Sequence, residues 1–168
     1  MLNLDVLRNK IISGNDLAQS LAIWKFQGQK IVFTNGCFDI LHLGHIDYLA
    51  KAADLGHVLL IGLNTDASVS RIKGPHRPLQ DQDSRAMVLA SLGFVTAIVL
   101  FDEDTPYELI RMVQPDILVK GADYKPEDII GYDIVKAHGG DVVTLEFLPG
   151  YSTSAIEQKI RNSSVNGC

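Results

Sequence analysis

The chain has 168 residues and is poor in cysteine, in aromatics and in long apolar runs. Its two cysteines, Cys37 and Cys168, lie far apart, and the second is the final residue of a polar tail. A disulfide framework is therefore excluded and a reducing, cytoplasmic setting is expected. The longest apolar stretches, Val58–Leu63 and Phe94–Leu100, fall far short of the ~20 residues of a membrane span, so no membrane partner is expected. Asp5, Arg8 and Lys10 interrupt the leucines of the N-terminus, and no signal peptide is read there. Neither GxGxxG nor GxxxxGK[ST] occurs, so both common phosphate loops are missing. A basic surplus is missing too: 15 Lys+Arg stand against 20 Asp+Glu, a net charge of −5, which opposes a nucleic-acid binder. An anion would have to be bound by local backbone and a few placed cations.

What is present is an ordinary globular balance, 46% hydrophobic and 21% charged, with no linker and no repeat. At roughly 150 residues per domain this is one domain. Apolar, β-branched runs at Lys30–Thr34, Val58–Asn64, Val95–Phe101, Asp116–Lys120 and Asp141–Leu145 read as strands. They are continuous rather than alternating, which suits parallel strands covered on both faces. Helical patterns lie between them. Residues 45–55 end at Gly56, read as a left-handed cap; Thr105-Pro106-Tyr107-Glu108 reads as a capping box with Pro106 at the first helical position; residues 126–138 end at Gly139-Gly140; Ser154-Ala155-Ile156-Glu157 reads as a further capping box.

The order predicts an α/β fold, a doubly wound, Rossmann-like five-stranded parallel sheet with helices on both faces. Residues 1–28 read as a helical extension anchored by Trp24 and Phe26, residues 29–162 as the domain proper, and residues 163–168 as a loose tail.

Ligands of such sheets bind beyond the carboxyl ends of the strands, which directs attention to residues 34–45, 64–77, 120–125 and 148–154. The first strand runs into Thr34-Asn35-Gly36-Cys37-Phe38-Asp39-Ile40-Leu41-His42-Leu43-Gly44-His45. Gly44 leaves room for a ligand near the backbone, the next helix offers free N–H groups, and His42 and His45 can donate to phosphate oxygens. Two other readings stand beside this one: both histidines cap a helix, or His42, His45 and Cys37 hold zinc, for which a fourth ligand is missing. Cys37 is better read as a small loop residue than as a nucleophile, and His57, His76 and His138 as surface or strand-edge residues.

The segment resembles the HxGH signature of the nucleotidyltransferase superfamily of cytidylyl- and adenylyltransferases, over about residues 28–162. Asn64-Thr65-Asp66, Lys73 in a Gly/Pro-rich loop, Arg85 on a helix, and Gly150-Tyr151-Ser152-Thr153-Ser154, similar to the second signature G-x-S-T-[TS], follow in order. TNGCFDILHLGHIDYLAKA, Arg77-Pro78-Leu79 and DILVKGADY look like the adenylyltransferase domain of bacterial ADP-heptose synthesis. Those enzymes join ATP to D-glycero-β-D-manno-heptose 1-phosphate and release pyrophosphate. Many relatives carry this domain behind a sugar kinase; about 28 residues precede the first strand here, so the resemblance implies a separate kinase upstream.

The resemblance further implies that His42, His45 and Lys73 are catalytic at the triphosphate, with Arg71 and Arg77 competing for the role of Lys73. Thr34, Asn35, Gly36, Cys37, Phe38, Gly44, Lys120, Gly121, Ser152, Thr153 and Ser154 would bind nucleotide or phosphate. Asp39, Asn64, Asp66, Arg85 and Asp123 would meet the acceptor, with Asp39 and Asp66 open to either substrate hydroxyls or Mg²⁺, and Asp123 and Tyr124 open to a turn role. Mg²⁺ is expected as cofactor with no protein ligand assigned, and ATP, a sugar 1-phosphate and a second copy of the chain as partners. A cytidylyltransferase acting on glycerol 3-phosphate or a related alcohol phosphate is the near alternative, and a non-catalytic nucleotide-binding module the remote one.

Overall fold

The apolar runs form the expected strands, and among the described residues a sixth joins them. β1 (Ile11–Ile12), β2 (Ile31–Gly36), β3 (Val58–Asn64), β4 (Ala97–Phe101), β5 (Ile117–Gly121) and β6 (Asp141–Leu145) make one parallel sheet in the order β1-β4-β3-β2-β5-β6. The structure is a computed structural model that describes residues 2–123 and 125–165. Tyr124 and Cys168, both singled out in the sequence, lie outside the described residues.

Continuous apolar strands need cover on both faces, and they receive it. Every residue of β3 is buried. Ile31, Phe33, Leu60 and Val99 face one helical layer, formed by α2 (Gly14–Phe26), α6 (Tyr107–Val113) and α7 (Tyr132–Ala137). Val32, Leu59, Ile61 and Ile98 face the other, formed by α3 (Leu43–Ala53) and α5 (Gln82–Ala90). The short helices α1 (Asn3–Arg8) and α4 (Asp66–Lys73) and the terminal α8 (Thr153–Val165) complete the chain.

Six expectations need correction. The N-terminal extension is not purely helical: Ile11 pairs with Ile98 and Ile12 with Val99, extending the sheet beyond β4. Phe26 is no anchor, being 92% exposed. In α2, Leu17, Leu21 and Trp24 recur at helical spacing and face the core, whereas Phe26 comes round to the opposite side. Gly56 is not a left-handed cap; a Cβ there would stand 2.6 Å from Val32 Cγ2, so the residue is small because the strand passes close. Residues 126–138 are a 3₁₀ turn, Pro126–Asp128, followed by the short α7, with left-handed Gly131 between them. Pro106 is the N-cap of α6 rather than its first residue, and α8 continues through 163–165, which the sequence reading placed in the tail.

One feature of register positions the site. β2 pairs with β3 as far as Gly36–Leu63, but with β5 only at Val32–Ile117 and Phe33–Leu118. Past Phe33 the two strands part, at the point where the chain order reverses across the sheet. The crevice of a doubly wound fold opens there.

The burial contrast gives a stability prediction. Leu60→Ala, at a fully buried position, should cost about 2–5 kcal/mol in urea unfolding. Phe26→Ala should change it by less than about 0.5 kcal/mol; comparable losses for the two variants would contradict the placement of α2.

Candidate active site

The loop leaving β2 is held from behind. Asp39 is 3% exposed, and both its carboxylate oxygens are occupied. Oδ2 accepts from Arg77 at 2.6 Å, and Oδ1 accepts from the backbone N–H groups of Leu79 (2.8 Å) and Gln80 (3.0 Å). Burial by itself would raise the Asp39 pKa, but the Gln80 N–H, Arg77 and the Leu79 N–H outweigh it and hold the carboxyl below its usual range. Gln80 Nε2 donates back to the Asp39 carbonyl at 2.7 Å. Arg85, fully buried, donates to the carbonyls of Cys37 (2.7 Å) and Gln80 (3.0 Å) and to Asp66 Oδ1 (2.7 Å). These contacts keep Phe38 at φ 45°, a left-handed conformation costly for an aromatic residue. The Phe38 ring then lies edge-on to His45, centroids 5.4 Å apart.

His42 is the N-cap of α3, and His45 sits in its first turn. Their rings stack at 3.9 Å with 26° between the planes. Gly44 permits this: a Cβ there would stand 3.1 Å from the His42 ring and 3.2 Å from Tyr151 Cβ. Burial lowers the His42 pKa, and burial together with the positive charges of His42 and Lys73 lowers that of His45 to about 4. Both imidazoles are neutral at pH 7, each with one N–H donor. Nδ1 of each is buried with no hydrogen-bond partner among the described residues. The helix cap reading is met in part, since His42 caps with its backbone while its ring makes no capping bond.

A cleft of about 210 Å³ opens before His45, lined by Asn35, Gly36, Cys37, Phe38, His45, Tyr48, Lys73, Lys120, Gly121 and Phe147. It contains two lysines and no carboxylate. Lys73 ends α4, and among the described residues it makes no ion pair or hydrogen bond. Lys120, on β5, donates to Asn35 Oδ1 at 2.5 Å across the crevice between β5 and β2. Burial pushes the Lys120 pKa down to about 8. Burial pushes the Cys37 thiol up in spite of the nearby Lys73 and Arg85, which keeps it a thiol rather than a nucleophile.

A second recess of about 450 Å³ continues from the same histidines to the start of α8, lined by His42, His45, Asp123, Phe147, Leu148, Pro149, Gly150, Tyr151, Ser152 and Thr153. Ser152, not Ser154, caps α8, its Oγ accepting from Ala155 N–H at 3.1 Å. Phe147 lines both recesses and covers Gly121, where a Cβ would fall 2.1 Å from the ring. Sequence reasoning missed Phe147, because a lone aromatic after an edge strand carries no motif. It also missed Tyr48, whose hydroxyl lies 2.8 Å from Thr34 Oγ1.

The structure thus gathers His42, His45, Gly44, Asn35, Gly36, Cys37, Phe38, Lys73, Lys120, Gly121, Asp123, Ser152 and Thr153 around one opening. It places the other expected residues elsewhere. Thr34 is fully buried with its hydroxyl on Tyr48, Asn64 is 4% exposed with its amide donating to Ser68, and Asp39 and Arg85 brace the loop from behind. Asp66 anchors Arg85. Ser154 lines a separate recess with Glu157 and Arg161. Of the three competing cations, Arg71 pairs with Asp102 and Asp104 and Arg77 with Asp39 and Glu157, which leaves Lys73 for a ligand. A larger cleft, about 530 Å³, lies between α2 and α6, but its cation Arg111 is paired with Glu108 and the reactive groups are not there. Among the described residues no three His, Cys, Asp or Glu side chains are grouped to hold a metal ion, which removes the zinc reading there. No helix among them is long and apolar enough to cross a membrane.

The chain is 51% identical over 156 residues to the bifunctional protein HldE of Wolinella succinogenes and 54% identical over 155 residues to that of Campylobacter curvus, covering 93% and 92% of this chain. It spans about a third of the length of these curated relatives, 32% in both cases. Among solved structures it resembles the lipopolysaccharide core biosynthesis protein of Thermoplasma volcanium, with 29% identity, TM-score 0.56, and 72% of this chain and 98% of that one covered. The pantoate-beta-alanine ligase of Francisella tularensis shares the fold at 17% identity and TM-score 0.59, with 90% and 76% covered. The cytidylyltransferase-like family matches residues 33–159, which hold both histidines, both cleft lysines and the start of α8. The chain belongs to the cytidylyltransferase-like family of nucleotidyltransferases.

Proposed function

We propose that the chain transfers AMP from ATP to D-glycero-β-D-manno-heptose 1-phosphate, giving ADP-heptose and pyrophosphate. The observation that carries the anionic part of this reading is the carboxylate-free cleft lined by His45, Lys73 and Lys120, with the His42 ring stacked on His45 and the Nδ1 of both rings without a hydrogen-bond partner among the described residues. The identity of the acceptor rests on the resemblance of residues 116–124 to heptose adenylyltransferases and on the likeness to a lipopolysaccharide core biosynthesis protein.

In this reaction an oxygen of the sugar phosphate attacks the α-phosphorus of ATP. The Pα–O bond to the β-phosphate breaks, and pyrophosphate leaves. The protein supplies position and charge rather than a covalent intermediate. The neutral imidazoles each donate one N–H to phosphate oxygens, and the donation strengthens as negative charge grows on the leaving group. Lys73 and Lys120 counter the repulsion between two anionic substrates. The N-termini of α3 and α8 add their free amides. Mg²⁺ would arrive on the triphosphate oxygens and neutralise part of their charge. The Asp39 carboxylate is already occupied and offers it no site. A cytidylyl transfer to glycerol 3-phosphate is the second reading, favoured by the family's description.

Pyrophosphate release, measured for each NTP against heptose 1-phosphate and glycerol 3-phosphate, separates the two. ATP with the heptose phosphate should be the active pair; activity confined to CTP with glycerol 3-phosphate would overturn the proposal. In the active pair His45→Ala should lower kcat roughly a hundredfold, as loss of a transition-state donor does. An unchanged kcat in the folded variant would remove the site.

The pH profile follows from Lys120. Its folded pKa, about 8, lies below its unfolded value, so its charge and the anion affinity it confers are lost as pH rises through about 8. Across the window from about 8 to the model-peptide value of about 10.4, the folded chain binds fewer protons than the unfolded one. Stability should therefore rise with pH there while kcat/KM falls. Lys120→Arg should push the alkaline limb of kcat/KM upward by at least about one unit, because guanidinium keeps its charge. An alkaline limb that does not move would show that another group titrates.

A further inference from the structure

We propose that Arg77 and Glu157 form a positioning pair that sets the separation between the signature loop and the start of α8, the two ends between which a triphosphate would lie. The proposal rests on the nucleotidyl-transfer reading above. Neither residue lines either recess around the histidines.

The attachment of α8 motivates it. None of residues 153–163 is fully buried, and the segment leading to the helix, from Glu146 to Ser152, is exposed at every residue but Leu148. Gly150 in that segment has φ 85° and open space around it. Packing therefore fixes α8 weakly, yet its first turn must hold Ser152 and Thr153 opposite the histidines. Arg77 supplies the missing constraint. One arm of its guanidinium donates to Asp39 Oδ2, and the other is ion-paired with Glu157 in the second turn of α8, whose buried Oε1 makes no hydrogen bond among the described residues.

The Asp39 end cannot shift, because that carboxylate is buried and also receives Leu79 and Gln80. Arg77 and Glu157 are 18% and 23% exposed, so solvent screens the pair less than an ordinary surface bridge. A planar guanidinium with two arms in fixed geometry acts as a spacer between two carboxylates, which a lysine ammonium on a flexible stem does not reproduce. Removal of Arg77 would leave Asp39 and Glu157 as like charges facing one another. The same residue closes the strap of residues 77–80 over the signature loop. Loop, strap and α8 thus meet at a single cation.

The test uses Glu157→Ala and the milder Glu157→Gln in the full chain. Binding of a non-hydrolysable ATP analogue is measured by calorimetry, and amide exchange across residues 153–163 is followed without ligand. Glu157→Ala should weaken analogue binding roughly tenfold and speed exchange in α8, with Glu157→Gln between it and the parent, as for loss of a charge-assisted contact. The melting temperature should fall by less than about 3 °C, since the helix contributes little to the core, and kcat at saturating ATP should stay within about threefold. Binding within about twofold of the parent in both variants, or weakened binding with α8 exchange unchanged, would overturn the proposal. If the parent chain binds no triphosphate, the nucleotidyl-transfer reading fails. The loop-to-helix link is then judged by the ligand-free exchange, which must speed in Glu157→Ala for it to stand.

Discussion

The buried carboxylate of Asp39 is the contact on which the rest of the site depends. It sits at the turn between β2 and α3, takes three donors from the strap at residues 77–80, and so fixes a loop that has no regular structure of its own. That anchor helps hold Phe38 in a left-handed conformation, in which the edge of its ring meets His45. Arg85 secures the other end of the loop through the Cys37 carbonyl and ties it to α4 by way of Asp66. The clamp lies behind the reactive face. Its charges are paired among themselves, and neither Lys73 nor Lys120 is drawn into an ion pair with them.

A chain with net charge −5 thereby presents a positive cleft. The separation is local: acids that could compete for the cleft lysines are bound elsewhere, Asp102 and Asp104 by Arg71, Asp39 and Glu157 by Arg77, Asp66 by Arg85. Burial works against this charge, lowering the histidine and Lys120 pKa values, and a neighbouring anion would offset that cost. Perturbed groups gathered in one cleft are what a functional site requires.

Much of this was legible in the sequence. The five principal strands follow from continuous β-branched runs, and the HxGH spacing points to the beginning of α3 because a glycine between two histidines after a buried strand has few other uses. The sequence could not separate residues that touch a ligand from those that brace the ones that do. Asp39, Asn64 and Arg85 belong to the motifs but are buried, since polar groups behind a loop and polar groups in front of it look alike in a linear pattern. Phe26 was misplaced because hydrophobicity was read without the helical phase set by Leu17 and Leu21. Arg77 and Lys73 sit four apart in sequence, and their partners in space tell them apart: two carboxylates for Arg77 and none for Lys73, which ends α4.

In the proposed reaction the stacked, neutral histidines would donate to phosphate oxygens. The most direct test is NMR titration of the His45 imidazole in the free protein and with a saturating non-hydrolysable ATP analogue. The free ring should titrate near 4. With the analogue bound its pKa should rise by at least about one unit, because an adjacent anion favours the charged imidazolium. A His45 titration identical with and without the analogue, while other resonances report full binding, would contradict it.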